Sequence, residues 1–109
     1  MMNPYMQETE NALVHTYNRF PVIFEKGEGV YLYDTEGKKY LDFAAGIAVC
    51  GLGYGNPELT AAVKEQTELL WHTSNLFYNA SCGTAAEALK KASGMDRVFF
   101  TNSGTEANE

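Results

Sequence analysis

The sequence predicts an α/β fold, and three observations carry that expectation. A pair of Tyr-, Leu- and Val-rich runs flanks a Thr35-Glu36-Gly37 turn. A helix start is written at Asn56-Pro57-Glu58. An apolar strand-like run at residues 97–101 feeds directly into a Gly-containing turn and a new helix. The 109 residues are enough for one small domain with one core. The composition is that of an ordinary soluble globular chain, with 45% hydrophobic and 20% charged residues.

Taken in order, residues 7–17 carry a weak helical stripe at Ala12, Leu13 and Tyr17, with Pro21 as its stop. Residues 22–26 read as a strand, and Gly27 and Gly29 as turn residues. Residues 30–34 and 39–43 form a β-hairpin in which Gly37 takes the left-handed conformation. Residues 44–55 follow, rich in glycine yet apolar. A flexible linker would be polar, so this stretch is expected to pack closely against another chain or a ligand. Asn56 caps the next helix, Pro57 takes its first position and Glu58 its first turn. Leu59, Ala62, Val63, Gln66 and Leu70 share one face, which carries the helix to about Trp71. A polar loop, His72-Thr73-Ser74-Asn75, breaks the pattern. A further helix spans residues 84–92 and ends at Gly94. Residues 97–101 have the composition of a strand covered on both faces. The last helix has run about one turn when the sequence stops, so the chain reads as cut within an α/β unit.

Charge and composition exclude several function classes. A net charge of −6 offers no basic face for nucleic acid or an anionic membrane. No apolar run is long enough to span a bilayer, and the first ten residues do not form a secretory signal. Cys50 and Cys82 are isolated, without a C-x-x-C pair, which suits a reducing, cytoplasmic compartment and offers no metal-ligand spacing.

Chemistry is best placed at Thr101-Asn102-Ser103-Gly104-Thr105-Glu106. Ser103 with Glu106 three residues on fits a capping box. A helix opening from a strand end is also a phosphate site, because free N–H groups and the helix dipole face the anion. No Gly-Lys-Ser/Thr follows, so it is not a nucleotide P-loop. On the residues alone, both a plain capping turn and a phosphate cradle stay open.

The run from Phe100 to Glu109 resembles the phosphate-binding turn of the class III, pyridoxal-phosphate-dependent aminotransferases. Leu41-Asp42-Phe43-Ala44-Ala45-Gly46-Ile47-Ala48-Val49 resembles that family's glycine loop. Trp71-His72-Thr73-Ser74-Asn75-Leu76-Phe77 resembles its acetylornithine branch. The three blocks stand in family order and spacing. The chain departs from the family's G-H-x-H-P string at Tyr54 and Asn56, and from a Pro-containing lead into the next helix at Ser81-Cys82-Gly83-Thr84.

The resemblance implies the N-terminal part of a fold-type I architecture. Residues 1–56 would be the N-terminal segment and small-domain hairpin with its Gly-rich loop. Residues 57–109 would be the interdomain helix and the start of the large cofactor domain. It implies pyridoxal 5'-phosphate held by Ser103, Gly104 and Thr105, with Tyr17, Gly46, Ile47 and Asn75 lining the substrate side, partly across a homodimer interface. The implied reaction moves an amino group from N2-acetyl-L-ornithine to 2-oxoglutarate in arginine biosynthesis. The same resemblance allows an ornithine, succinylornithine or 4-aminobutyrate aminotransferase or an aminomutase, and a non-catalytic assembly module is the alternative from another class. Trp71, Phe77 and Phe99 are expected in the core, and His15 and His72 as surface or capping residues. The family's catalytic lysine falls beyond Glu109, so none of Lys26, Lys38, Lys39, Lys64, Lys90 and Lys91 fills that role and the 109 residues alone are expected to be inactive.

Overall fold

The computed structural model describes residues 3–109. They divide into two compact units between Leu69 and Leu70. The first unit opens with α1 (Pro4–Ala12). Asn3 caps it by accepting the Tyr5 N–H at 3.0 Å, and Pro4 takes the first turn, where its missing N–H costs nothing. The same Asn-Pro start recurs at Asn56-Pro57. The helix therefore begins earlier than the expected 7–17. It also ends earlier, because Leu13 is extended and its N–H closes back on Thr9. Pro21 is not the stop.

The sheet is built from β1 (Phe24–Glu28), β2 (Tyr31–Asp34) and β3 (Lys39–Leu41), antiparallel and in chain order. The first strand lies two residues later than expected and includes Gly27, while Gly29 makes the turn at φ 57°. The pairing between β1 and β2 shifts register between Phe24 and Lys26, a β-bulge. Asp34 organises the second turn. One carboxylate oxygen accepts the N–H groups of Glu36 and Lys38 at 3.0 and 2.9 Å, and the other accepts the Tyr40 hydroxyl at 2.8 Å. Gly37 is left-handed, at φ 81°, as expected of a residue closing such a turn. On one face Phe24 meets Tyr40 edge-on, with centroids 5.3 Å apart. Elsewhere the Lys39 ammonium lies 3.6 Å from the centroid of Tyr31.

After the sheet come a short left-handed turn, α2 (Ala45–Ala48), and then α3 (Pro57–Leu69). Asn56 caps α3 through a 2.9 Å bond from the Leu59 N–H, as its sequence predicts. In the second unit α4 (Ala80–Ser93) begins four residues before the expected 84, because Asn79 accepts the Cys82 N–H. It ends as expected at Gly94, left-handed at φ 73°, with Lys90 and Lys91 on the negative end of the helix. The last element is α5 (Gly104–Asn108).

Two further expectations fail. Residues 97–101 are not a strand, since a strand exists only as half of a pair and the second unit offers no strand beside them. Nor is there a core: among the described residues none is buried, and Trp71, Phe77 and Phe99 are 83%, 69% and 87% exposed. A core needs two layers facing each other. Among the described residues, the strands are the only elements of the first unit in contact with one another, and in the second α4 and α5 do not touch.

Candidate functional site

Ser103 caps α5 with its hydroxyl oxygen, which accepts the Glu106 N–H at 3.2 Å. Glu106 reaches back to the Asn102 N–H at 2.9 Å, so the capping box is present with its return bond one residue further out than Ser103. The Thr101 hydroxyl donates to the Ser103 carbonyl at 3.1 Å. The N–H groups of Gly104 and Thr105 have no partner among the described residues. A Cβ on Gly104 would meet nothing within 4 Å, so the space beside that residue is open. Two free amides, a threonine hydroxyl and the positive end of a helix form a donor set suited to a phosphate dianion.

Of the residues expected on the substrate side, Tyr17, Gly46 and Ile47 belong to the first unit and Asn75 to the second. Tyr17 lies in a cleft of about 480 Å³ formed with Tyr5, Met6, Arg19 and Phe20. Glu10 lines the same cleft and accepts from Arg19 at 3.4 Å. Its backbone carbonyl also meets the His15 ring at 2.8 Å, so His15 is a local surface contact. Asn75 lines a second cleft of about 500 Å³ with Trp71, Tyr78 and Asn79. There His72 accepts the Ser74 N–H at 3.2 Å and stabilises the loop, with Ser74 left-handed at φ 64°. Neither cleft includes Gly46 or Ile47.

Those two sit in a run of four consecutive positive-φ residues. Ala45, Gly46, Ile47 and Ala48 have φ of 45°, 61°, 65° and 61°, one turn of left-handed helix. Each of the three residues with a side chain costs about 1–2 kcal/mol in this conformation. Part of that is offset inside the turn, where the Ala44 carbonyl accepts from Ile47 and Ala48 and the Ala45 carbonyl from Val49 and Cys50. The rest of the support comes from Asp42, to which the sequence assigns no role of its own, and from Tyr54, which the sequence marks as a departure from the family string. Asp42 accepts the N–H groups of Ala44 and Ala45 at 2.8 and 3.0 Å on one oxygen and the Tyr54 hydroxyl at 2.6 Å on the other. An Asp leaving a strand ahead of small residues is an Asx-turn signal that would have pointed to it. The Tyr54 bond, aided by the Ala45 amide, holds the Asp42 carboxyl below the usual carboxylate range. In return Asp42 pushes the Tyr54 phenol up to about 12.

The close packing found at one end of residues 44–55 is with this chain's own hairpin, where another chain or a ligand was expected. Tyr54 and Gly29 exchange backbone hydrogen bonds at 2.7 and 2.9 Å. A Cβ on Gly53 would lie 2.4 Å from the Gly29 carbonyl oxygen, and one on Gly27 would lie 2.4 Å from the Tyr54 ring. The contact is with the turn between β1 and β2. The other end of the loop, with Phe43 and Ile47 more than nine-tenths exposed, has nothing over it.

Compared with known proteins, residues 12–109 match the family Aminotransferase class-III. The chain belongs to this family. Among its relatives, an acetylornithine aminotransferase of Gloeobacter violaceus is 55% identical over 103 residues, covering 94% of this chain and 26% of the relative. A solved N-acetylornithine aminotransferase of Stenotrophomonas maltophilia is 53% identical, with TM-score 0.78, over 86% of this chain and 26% of that one. An ornithine δ-aminotransferase of Plasmodium falciparum is 31% identical with TM-score 0.90, over 95% of this chain and 27% of that one. The fold is a portion of the fold-type I architecture of these aminotransferases. The chain spans about a quarter of the length of the relatives it matches. Members of the class use pyridoxal phosphate, and the donors at 103–105 fit its phosphate. Among the described residues no His, Cys, Asp or Glu cluster would hold a metal ion, and no helix is long and apolar enough to cross a membrane.

Proposed function

We propose that these residues are the N-terminal part of a cytoplasmic, homodimeric aminotransferase of arginine biosynthesis. It moves the amino group of N2-acetyl-L-ornithine to 2-oxoglutarate. The turn at 102–106 carries the reading of this segment's share, because its two free amides await an anion at a helix start. In it, the Gly104 and Thr105 N–H groups and the hydroxyls of Ser103 and Thr105 hold the phosphate of pyridoxal 5'-phosphate. The chemistry the cofactor supplies is that of an electron sink. The segment's own work is to bind and orient. Residues 1–56 form the small-domain portion with its hairpin and glycine loop, and residues 57–109 the interdomain helix and the start of the cofactor domain. Tyr17, Gly46, Ile47 and Asn75 line the substrate side, with Gly46 and Ile47 placed on an apolar loop that a second subunit covers. None of the lysines in this chain serves as the cofactor's lysine, so the 109 residues alone do not transaminate.

The test is made on the full-length protein, by titration with pyridoxal phosphate and by turnover with 2-oxoglutarate and competing amino donors. N2-acetyl-L-ornithine is expected to have the highest kcat/KM among acetylornithine, ornithine, succinylornithine and 4-aminobutyrate. A higher value for another donor moves the protein to that branch of the class. Failure to bind the cofactor removes the reading and favours an assembly module.

A further inference from the structure

Four consecutive left-handed residues, three of them with side chains, persist only where the surroundings over-determine them. Here the surroundings are one carboxylate and one phenol. Asp42 sits just past β3 and its own N–H is bonded to the Val30 carbonyl at 2.9 Å, which fixes it to the sheet. Its oxygens take three donors, the Ala44 and Ala45 amides and the Tyr54 hydroxyl, and among the described residues no cation pairs with it. Tyr54 is fixed in turn by its paired backbone bonds to Gly29 and by a ring that lies where Gly27 has no side chain. The two ends of the 42–54 loop are thus tied to the same hairpin and to each other. What the clamp holds is not a plug: Ile47 is 91% exposed, and the turn buries none of its own side chains.

Resting on the reading above, in which Gly46 and Ile47 line the substrate side, we propose that Asp42 is a positioning residue of the amino-donor site. Shared between the Tyr54 hydroxyl and the Ala44 and Ala45 amides, its carboxylate closes the base of the loop and keeps the left-handed turn in the form that meets the donor. Asp42 acts through the turn and touches no reacting atom. Because the phosphate cradle lies on a different segment, loosening the clamp should alter donor binding and leave cofactor binding alone.

The experiment uses the full-length holoenzyme with Asp42→Ala, Asp42→Asn and Tyr54→Phe. It reads donor KM and kcat, pyridoxal-phosphate affinity, and amide hydrogen exchange of a peptide covering residues 44–50. Asp42→Ala is expected to raise donor KM about tenfold or more, keep kcat within about threefold and speed exchange by a similar factor. Cofactor affinity stays at the wild-type value. Tyr54→Phe moves the same quantities less, since the two amide bonds survive. Asp42→Asn restores KM to within about threefold, because its amide oxygen still accepts from the backbone and its NH₂ donates to the phenol oxygen. An unchanged KM in Asp42→Ala overturns the proposal, whatever the exchange shows. So does a joint collapse of KM, kcat and cofactor affinity in both Asp42→Ala and Tyr54→Phe, which marks a purely structural role. A wild-type protein that turns over no amino donor overturns the functional reading and the donor site with it, and the exchange rates then report the clamp alone.

Discussion

Replacing Gly53 with Ala perturbs the loop at one defined atom. The new Cβ would lie 2.4 Å from the Gly29 carbonyl oxygen and 3.0 Å from its carbon, both backbone atoms with no rotamer to yield. Gly53 is also left-handed at φ 70°, where an L side chain costs about 1–2 kcal/mol. To relieve the contact the paired bonds between Gly29 and Tyr54 must lengthen or break, at about 0.5–1.5 kcal/mol each. Together these give about 2–5 kcal/mol against the closed loop. Because this part of the chain is exposed, the loss appears as local opening rather than global unfolding. At the lower limit the Gly29 and Tyr54 amides should exchange roughly thirtyfold faster, since about 1.4 kcal/mol is a factor of ten. Gly51→Ala is the control two residues away. Its Cβ would meet nothing within 4 Å and its φ is not positive, so it should leave exchange unchanged or slow it slightly. Equal exchange rates in the two variants would refute the close approach at Gly53.

Thr105→Val in the full-length protein should weaken pyridoxal-phosphate binding by about 1–3 kcal/mol, the range for a hydrogen bond to a charged group. An affinity unchanged within error removes Thr105 from the cradle. The Asp42–Tyr54 bond also sets a pH window. The raised Tyr54 adds stability that is full below the ordinary tyrosine value and disappears as pH climbs through about 12. The lowered Asp42 adds stability present above the ordinary aspartate value and lost as pH falls through its own. Ultraviolet titration should therefore show one tyrosine ionising late, and Asp42→Ala should abolish that lag. Finally, the 109 residues incubated with pyridoxal phosphate and reduced with borohydride should label several lysines sparsely. Lys26, raised by its hydrogen bond with Glu28, should be among the slower to react. One stoichiometric adduct with amino-donor turnover would show that the segment is catalytic alone.

The parts of the fold legible in the sequence are those decided by neighbouring residues. Asn56-Pro57, Gly37, Gly94 and Ser103 with Glu106 each state a local geometry, and each is found there. Residues 97–101 show the limit, because apolar composition prepares a strand but a second strand must supply its hydrogen bonds. Trp71 and Phe99 fail for the same reason, since burial is a property of two surfaces. At the candidate site the cap at Ser103 was readable from spacing. The Asp42–Tyr54 pair was not, since twelve residues separate them and only the folded hairpin brings the phenol to the carboxylate.

The bulge between Phe24 and Lys26 bears on how this chain avoids its own kind. A three-stranded sheet has two open edges, and a chain with so much exposed apolar surface invites another strand to add to either. On the β1 side the bulge breaks the even spacing of amides and carbonyls that an incoming strand would need. On the other side β3 is only three residues long and begins with Lys39, whose charge must be accommodated by any strand laid against it. Polymerisation through the sheet is thus discouraged by its borders, while the exposed Phe43 and Ile47 lie outside the strands, on the 42–54 loop.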